Sequence, residues 1–379
     1  MAERAEVVVV GGGAIGGAVA YALSRAGVRV TLLEARRIGD GASGAAAGML
    51  TPLAEAPQPG PFADLALHSL RRFPALAQEL REVAGMDIEY VPSGVLRVAT
   101  SEEHERTLQE ALTWQRALGL DLRWLGPEQV RSLEPDLAPE VRGGVFSPEE
   151  GHVHSLRLTE ALAQAAARLG ATVRVGTPVV GLTRHNGRVT GVRTAEGAVA
   201  ADQVVLAAGS WTGLLAHELG VAAPVRPVKG QILSLALVPC PLRRVVYGSG
   251  VGYLVPRRDG SVVVGATQEE VGFDMRVTAQ GLAALLRGAT QLVPALAGAE
   301  VRQTGAGLRP GTPDGLPILG PVPGWEGISI ASGHFRNGIL LSPITGHLMA
   351  ELITTGKTSL PLDPFSPGRF LDDVEVKEK

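Results

Sequence analysis

The chain has 379 residues, 45% of them apolar and 19% charged, with a formal charge of −3. That balance suits a globular chain long enough for two domains, and the lack of a basic excess recommends no nucleic-acid partner. No apolar run reaches the ~20 residues that span a bilayer, so no membrane segment is expected, and a lone cysteine, Cys240, excludes an intrachain disulfide, a cysteine-based zinc site and an iron–sulfur cluster, which fits a reducing cytoplasm.

The valine run 7–10 reads as a buried parallel strand, and it leads into G-x-G-x-x-G at Gly11, Gly13 and Gly16. Ala14 to Ala26 reads as a helix stopped by Gly27, Val28 to Leu33 as a second strand, and Glu34 sits at its end. In such a unit Gly11 permits the tight turn, Gly13 lets a pyrophosphate approach the backbone, and Gly16 lets helix pack on strand. The helix N-terminus faces the phosphate charge while Glu34 accepts from a ribose hydroxyl, so the expected ligand is an adenine dinucleotide. The glycines within 11–17, the acids Glu3 and Glu6 ahead of them and the short length argue against a signal peptide or membrane span.

After Glu34, residues 35–50 form a loop of mostly glycine, alanine and serine, expected as a second wall of the cofactor site rather than a flexible linker. Phe62 to Val83 has helical periodicity interrupted at Pro74. From Asp87 to Val145 short alternating pieces surround a charged helix, Glu102 to Leu118, and read as an insertion. Ser155 to Leu169 is an amphipathic helix, Thr172 to Val175 a strand, and hairpin-like strands follow around Asn186-Gly187 and Glu196-Gly197. Gln203 to Ala207 then delivers small residues at a strand end. Arg226 to Leu235 and Val245 to Val264 alternate as an antiparallel sheet, with Thr278 to Leu292 as its covering helix. Val301 to Pro310 returns toward the cofactor, Gly327 to Ala331 is a last apolar strand, and Gly338 to Thr354 a long helix. The fold class expected is α/β, a Rossmann-like dinucleotide domain made of 1–86, 146–225 and 301–379, with an antiparallel-sheet α+β substrate domain made of 87–145 and 226–300.

Six stretches carry a resemblance. GASGAAAGML (41–50), GHVH (151–154), RPVKGQ (226–231), YLVPR (253–257), AGLRPGTPDGLP (306–317) and GHFRNGILLSP (333–343) together resemble the FAD-dependent amine oxidases of the D-amino-acid oxidase superfamily, in the same order over nearly the full chain. Within it, the likeness is to the glycine-oxidising enzymes of thiamine biosynthesis. The resemblance implies non-covalent FAD held by Ala14, Ile15, Glu34, Ala35, Ala42 and Ser43, with Val179 near the adenine and Ala47, Gly48 and Met49 at the flavin ring. The turn His334, Phe335, Arg336, Asn337 and the helix opening at Gly338, Ile339 and Leu340 would offer N–H groups where negative charge gathers on reduction. Cys240, between two prolines, is a poor candidate for a covalent flavin link.

For substrate, the resemblance makes Arg309 a carboxylate clamp, since an arginine fork fixes both position and rotation of a small amino acid. Tyr253 would donate to the same carboxylate and Arg336 would lie near substrate and flavin, against the alternatives of a core tyrosine and a structural ion pair. The implied reaction is hydride transfer from glycine to the flavin, leaving an imine, with dioxygen as acceptor and hydrogen peroxide as product. A homo-oligomer is also implied. Gln268 and Val251 depart from the relatives' pocket pattern, which keeps D-amino-acid or sarcosine oxidation, or a dehydrogenase, in view; a dinucleotide-binding module without catalysis is the alternative from another class. His152 and His154, beside Glu149 and Glu150, have no third histidine, so no metal site is expected.

Overall fold

A computed structural model describes residues 4–56, 58–221, 223–248 and 252–371. Two eight-stranded sheets organise them. In the first, the path runs Ile318–Pro321, Ile328–Ser332, Gly197–Leu206, Arg4–Val10, Val30–Leu33, Thr172–Arg174. The pairs on both sides of Arg4–Val10 are parallel, and Val8 and Val9 are wholly buried, as a strand covered on both faces requires. Helix Ala14–Arg25 packs against Ser155–Arg168 and Gly338–Thr355; at the second crossing a Cβ on Gly346 would press into the Ala18 carbonyl, so the two helices approach almost backbone to backbone. This is the expected Rossmann-like layer.

The expected helix from Phe62 to Val83 is two helices, Pro61–Leu70 and Phe73–Val83. Pro74 lies in the first turn of the second, where its missing N–H has no intrahelical partner to lose.

The second sheet has the order Glu300–Gly311, Arg226–Ala236, Ser261–Gly265, Gly252–Pro256, Val245–Gly248, Val95–Ala99, Gly143–Ser147, Arg123–Leu125. All its neighbours are antiparallel except Val245–Gly248 with Val95–Ala99. Helix Ala279–Leu292 covers one face through Leu285, Ala289 and Leu292. Two expected boundaries are corrected. Residues 300–311 pair with Arg226–Ala236, with one register shift that leaves Arg302 unpaired, so the chain leaves this sheet after Gly311 and not at 301; likewise 146 falls inside strand Gly143–Ser147. Alternation alone could not assign these residues, because a strand at a sheet edge reads the same whichever sheet it joins.

Among the described residues no helix is long and apolar enough to cross a membrane.

Candidate active site

The first sheet's strand ends build the dinucleotide cradle. Gly11 adopts φ +110°, and a Cβ there would meet the Ala207 carbonyl; on Gly16 it would collide with the carbonyl of Gly11. Strand, turn and helix can therefore close only on glycine. The Ala14 N–H donates to Ser43 Oγ at 3.0 Å, which ties the small-residue loop to the helix opening. Glu34 accepts from the N–H groups of Gly12 (2.6 Å) and Arg36 (2.8 Å), and its remaining lone pairs are available to a ligand hydroxyl. Neither Gly13 nor Asn337 caps its helix with a side chain, so both helix openings keep amides for a ligand.

The loop ends in Met49–Leu50, which pairs antiparallel with Gly151–His152. Arg257 locks this corner to the second sheet, donating to the carbonyls of Ala47 (2.7 Å) and Val153 (2.8 Å). Burial, and after it the Arg257 charge alongside, depresses His152 to about 3; His154 Nδ1 accepts from the Arg157 N–H and caps a helix. Among the described residues no histidine, cysteine and carboxylate group is arranged to hold a metal.

One cavity of about 830 Å3 runs from this cradle to the second sheet. Its wall includes Gly11, Gly13, Ala14, Ile15, Glu34, Ala35, Ala42, Ser43, Ala47, Gly48, Met49 and Val179 at the cradle, and His334, Phe335, Arg336, Asn337, Gly338 and Ile339 at the last turn and helix. Tyr253 and Arg309 line it too. Gly16 and Leu340 lie behind the wall: Gly16 packs helix on turn, and the Leu340 carbonyl accepts from Ser69 Oγ at 2.6 Å. Phe335 sits at φ +48°, a conformation that costs a bulky residue on the order of 1–3 kcal/mol and is held by the turn around it. His334 is buried, its Nε2 3.0 Å from Thr345 Oγ1, and burial lowers it to about 3, so it stays neutral.

At the far end Arg309 projects from edge strand Glu300–Gly311 across Gly230. Its Nη1 donates to the carbonyls of Thr267 (3.0 Å) and, at the limit of contact, Lys229 (3.5 Å). Below it Lys229 is buried against Glu269 Oε2 at 2.8 Å, and Gln231 Nε2 donates to Glu269 Oε1 at 2.7 Å. Arg336 Nη2 lies 2.9 Å from Glu55 Oε1 and donates to Tyr247 Oη at 2.9 Å. Burial raises the Glu55 carboxyl, against the pull of Arg336 and then Arg309, and burial also raises the Tyr253 phenol. Glu55 pairs with Arg336 and lies close enough to Arg309 to feel its charge, but among the described residues no carboxylate lies within ion-pair distance of Arg309.

Sequence reasoning missed Glu55, Tyr247 and Arg257. The Glu55 helix, Pro52–Glu55, spans four residues and is too short to show a period. Gln268 was expected to alter the pocket wall, and that is corrected: it is exposed and absent from the lining, because Thr267 and Glu269 turn inward and the residue between them faces out. Val251 lies outside the described residues.

A Rossmann-like cradle joined by one cavity to a pocket with an unpaired arginine is the layout of a two-domain, dinucleotide-dependent oxidoreductase of small carboxylates. The chain belongs to the family described as FAD dependent oxidoreductase, which matches residues 6–352. It is 40% identical to the glycine oxidase of Geobacillus kaustophilus over 100% of both chains, and 40% identical to the bifunctional protein ThiO/ThiG of Synechocystis over 98% of this chain and 55% of that protein. The crystal structure of glycine oxidase from Geobacillus kaustophilus superposes with a TM-score of 0.93 at 39% identity, covering 96% of this chain and 98% of the other. The cofactor is FAD, and the small-residue loop, the glycine turn and two uncapped helix openings along one cavity fit a long, planar, doubly phosphorylated molecule.

Proposed function

We propose that this protein oxidises glycine, and related small amino acids, to the imine with release of hydrogen peroxide, in the supply of the thiazole part of thiamine. The observation that carries this is Arg309: a cation without an ion-pair partner among the described residues, fixed by the Thr267 carbonyl at the end of a cavity that begins at the dinucleotide turn. The relatives' names, glycine oxidase and ThiO/ThiG, supply the substrate and the pathway. FAD, when bound, supplies the hydride acceptor and hands the electrons to dioxygen.

In this reading the free N–H groups of Arg309 take the substrate carboxylate as a two-pronged, charge-assisted pair, and Tyr253 donates to the same group. Arg336, held between Glu55 and Tyr247, closes the pocket beside the turn 333–337. Tyr247, Tyr253 and Met49 pack in one apolar group and limit the room for a side chain. Catalysis is then chiefly placement, which accounts for the few acid–base groups. The same reading keeps the enzyme in the cytoplasm, as a homo-oligomer.

The test is anaerobic mixing of the FAD-loaded protein with glycine, sarcosine, D-alanine and D-proline, following flavin absorbance, with peroxide measured in air. Glycine should bleach the flavin fastest. Absence of bleaching with all four refutes the proposal.

A further inference from the structure

A free amino acid reaches the pocket as a zwitterion, and Arg309 accounts for only one of its two charges. The nitrogen must also lose a proton, since a hydride leaves the α-carbon only when a nitrogen lone pair can replace it. Glu55 is the lining carboxylate at the clamp end of the cavity. The other lining acids are engaged elsewhere: Glu34 on the glycine turn, Asp40 on Arg36 and Arg37, Glu218 on the Leu182 N–H. The charged and titratable groups facing Glu55 are Arg336, Arg309 and Tyr253, with Tyr247 behind Arg336; the two guanidiniums are already charged and the Tyr253 phenol, raised by burial, is already protonated.

Glu55 is also held in place. Its side chain is 11% exposed, and its Oε1 is anchored by Arg336 at 2.9 Å. Two residues earlier, the Leu53 N–H donates to Glu150 Oε1 (3.3 Å) and the Leu53 carbonyl accepts from Arg97 (3.2 Å) and Gln115 (2.9 Å). The second domain thereby fixes the short helix that presents the carboxylate.

We propose that Glu55 is the proton acceptor for the substrate ammonium: with the carboxylate on Arg309, an N–H bond of glycine breaks, an O–H bond forms on Glu55, and the lone pair left on nitrogen drives hydride from the α-carbon. This rests on the amine-oxidation reading above. Arg336 holds Glu55 in place and pulls against the burial that raises its carboxyl, and that raised carboxyl is a stronger base than an exposed one.

The experiment compares wild type with Glu55→Gln, which keeps a carbonyl for Arg336 and loses the basic oxygen. At neutral pH kcat/KM for glycine should fall on the order of 100-fold or more, and the loss should shrink as pH rises toward the pKa of the free amine, which then arrives unprotonated. The acid limb of the wild-type profile should move up in Glu55→Gln and return in Glu55→Asp. Acetate, a carboxylate with no amine, should bind the Gln variant as tightly as wild type or more tightly, read from perturbation of the bound FAD spectrum. An unshifted profile with kcat/KM within roughly threefold of wild type overturns the assignment, and so does acetate binding weakened by about tenfold, which marks Glu55 as scaffolding only. A wild type that oxidises none of the four amines refutes the oxidase reading, and this inference with it.

Discussion

Gly230→Ala puts a single methyl where the Arg309 guanidinium lies. A Cβ at this position falls well inside 3.0 Å of Nη2, Cζ and Nη1 of Arg309, and ordinary contact needs 3.4–4 Å. The guanidinium must therefore give by about 1 Å, a displacement that can cost on the order of 100-fold when it misplaces a bound substrate. Retreat is blocked, since Nη1 is tied to the Thr267 carbonyl and the Tyr253 ring sits over Gly265 on the adjoining strands. We expect kcat/KM for glycine to fall about 100-fold, or ~2.7 kcal/mol, mostly as a higher KM. Stability should change little, because Gly230 has no positive φ and sits in a strand that accepts alanine. Steady-state peroxide release against glycine concentration, with urea unfolding as the control, makes the measurement. A kcat/KM within roughly threefold of wild type, with the fold intact, would show that Arg309 does not hold the substrate from the position described.

Arg309→Ala should cost about 3–5 kcal/mol in kcat/KM, appearing chiefly as weaker substrate binding, and near-normal kinetics would remove the clamp assignment. Gly16→Ala drives a methyl into the Gly11 carbonyl and should cost about 1–3 kcal/mol in stability together with most bound FAD, read as flavin absorbance per protein. Glu150 is buried, its carboxyl raised to about 7 first by burial, against the pull of Arg97. Its folded pKa exceeds the unfolded value of 4.5, so the stability it lends below 4.5 is lost as pH rises toward 7. Relative to wild type, Glu150→Gln should gain on the order of 1.4 kcal/mol per pH unit across that window, and a pH-independent difference in urea unfolding would contradict the burial described. Lys229→Met breaks a buried ion pair and should destabilise by about 3 kcal/mol in the same assay; an unchanged midpoint would show that the pair under Arg309 bears no weight.

What could be read from the chain depended on whether a residue's partner was near in sequence. The glycine turn, the helix from Ala14 and Glu34 form one continuous unit whose periodicity switches visibly from strand to helix, and the structure has them so. Pro74 marked a real break for the same local reason. Arg309 and Tyr253 carried no such signal; only the resemblance singled them out, and the structure sets both on the cavity wall. Glu55 was invisible because its meaning comes from Arg336, which is distant in sequence and meets it only in the folded chain. Residues 301–311 were placed with the dinucleotide domain, though they pair with Arg226–Ala236, because alternation reports a strand and not its neighbour. Gln268 failed differently: a substituted position in a motif suggests a changed wall, yet one residue either way along an extended chain reverses the face.

The crossing of Ala18 on Gly346 bears on how the protein is made. The turn that begins the cofactor cradle leaves the ribosome early, but the helix that backs it, Gly338–Thr355, leaves only after the whole substrate sheet has been synthesised. Through most of its translation a nascent chain therefore has helix Ala14–Arg25 covered by Ser155–Arg168 on one side and bare on the side that Gly338–Thr355 takes. If the last long helix completes the cradle, FAD capture would be a late event, and a ribosome that stalls before that helix would leave a chain without the wall that backs the turn.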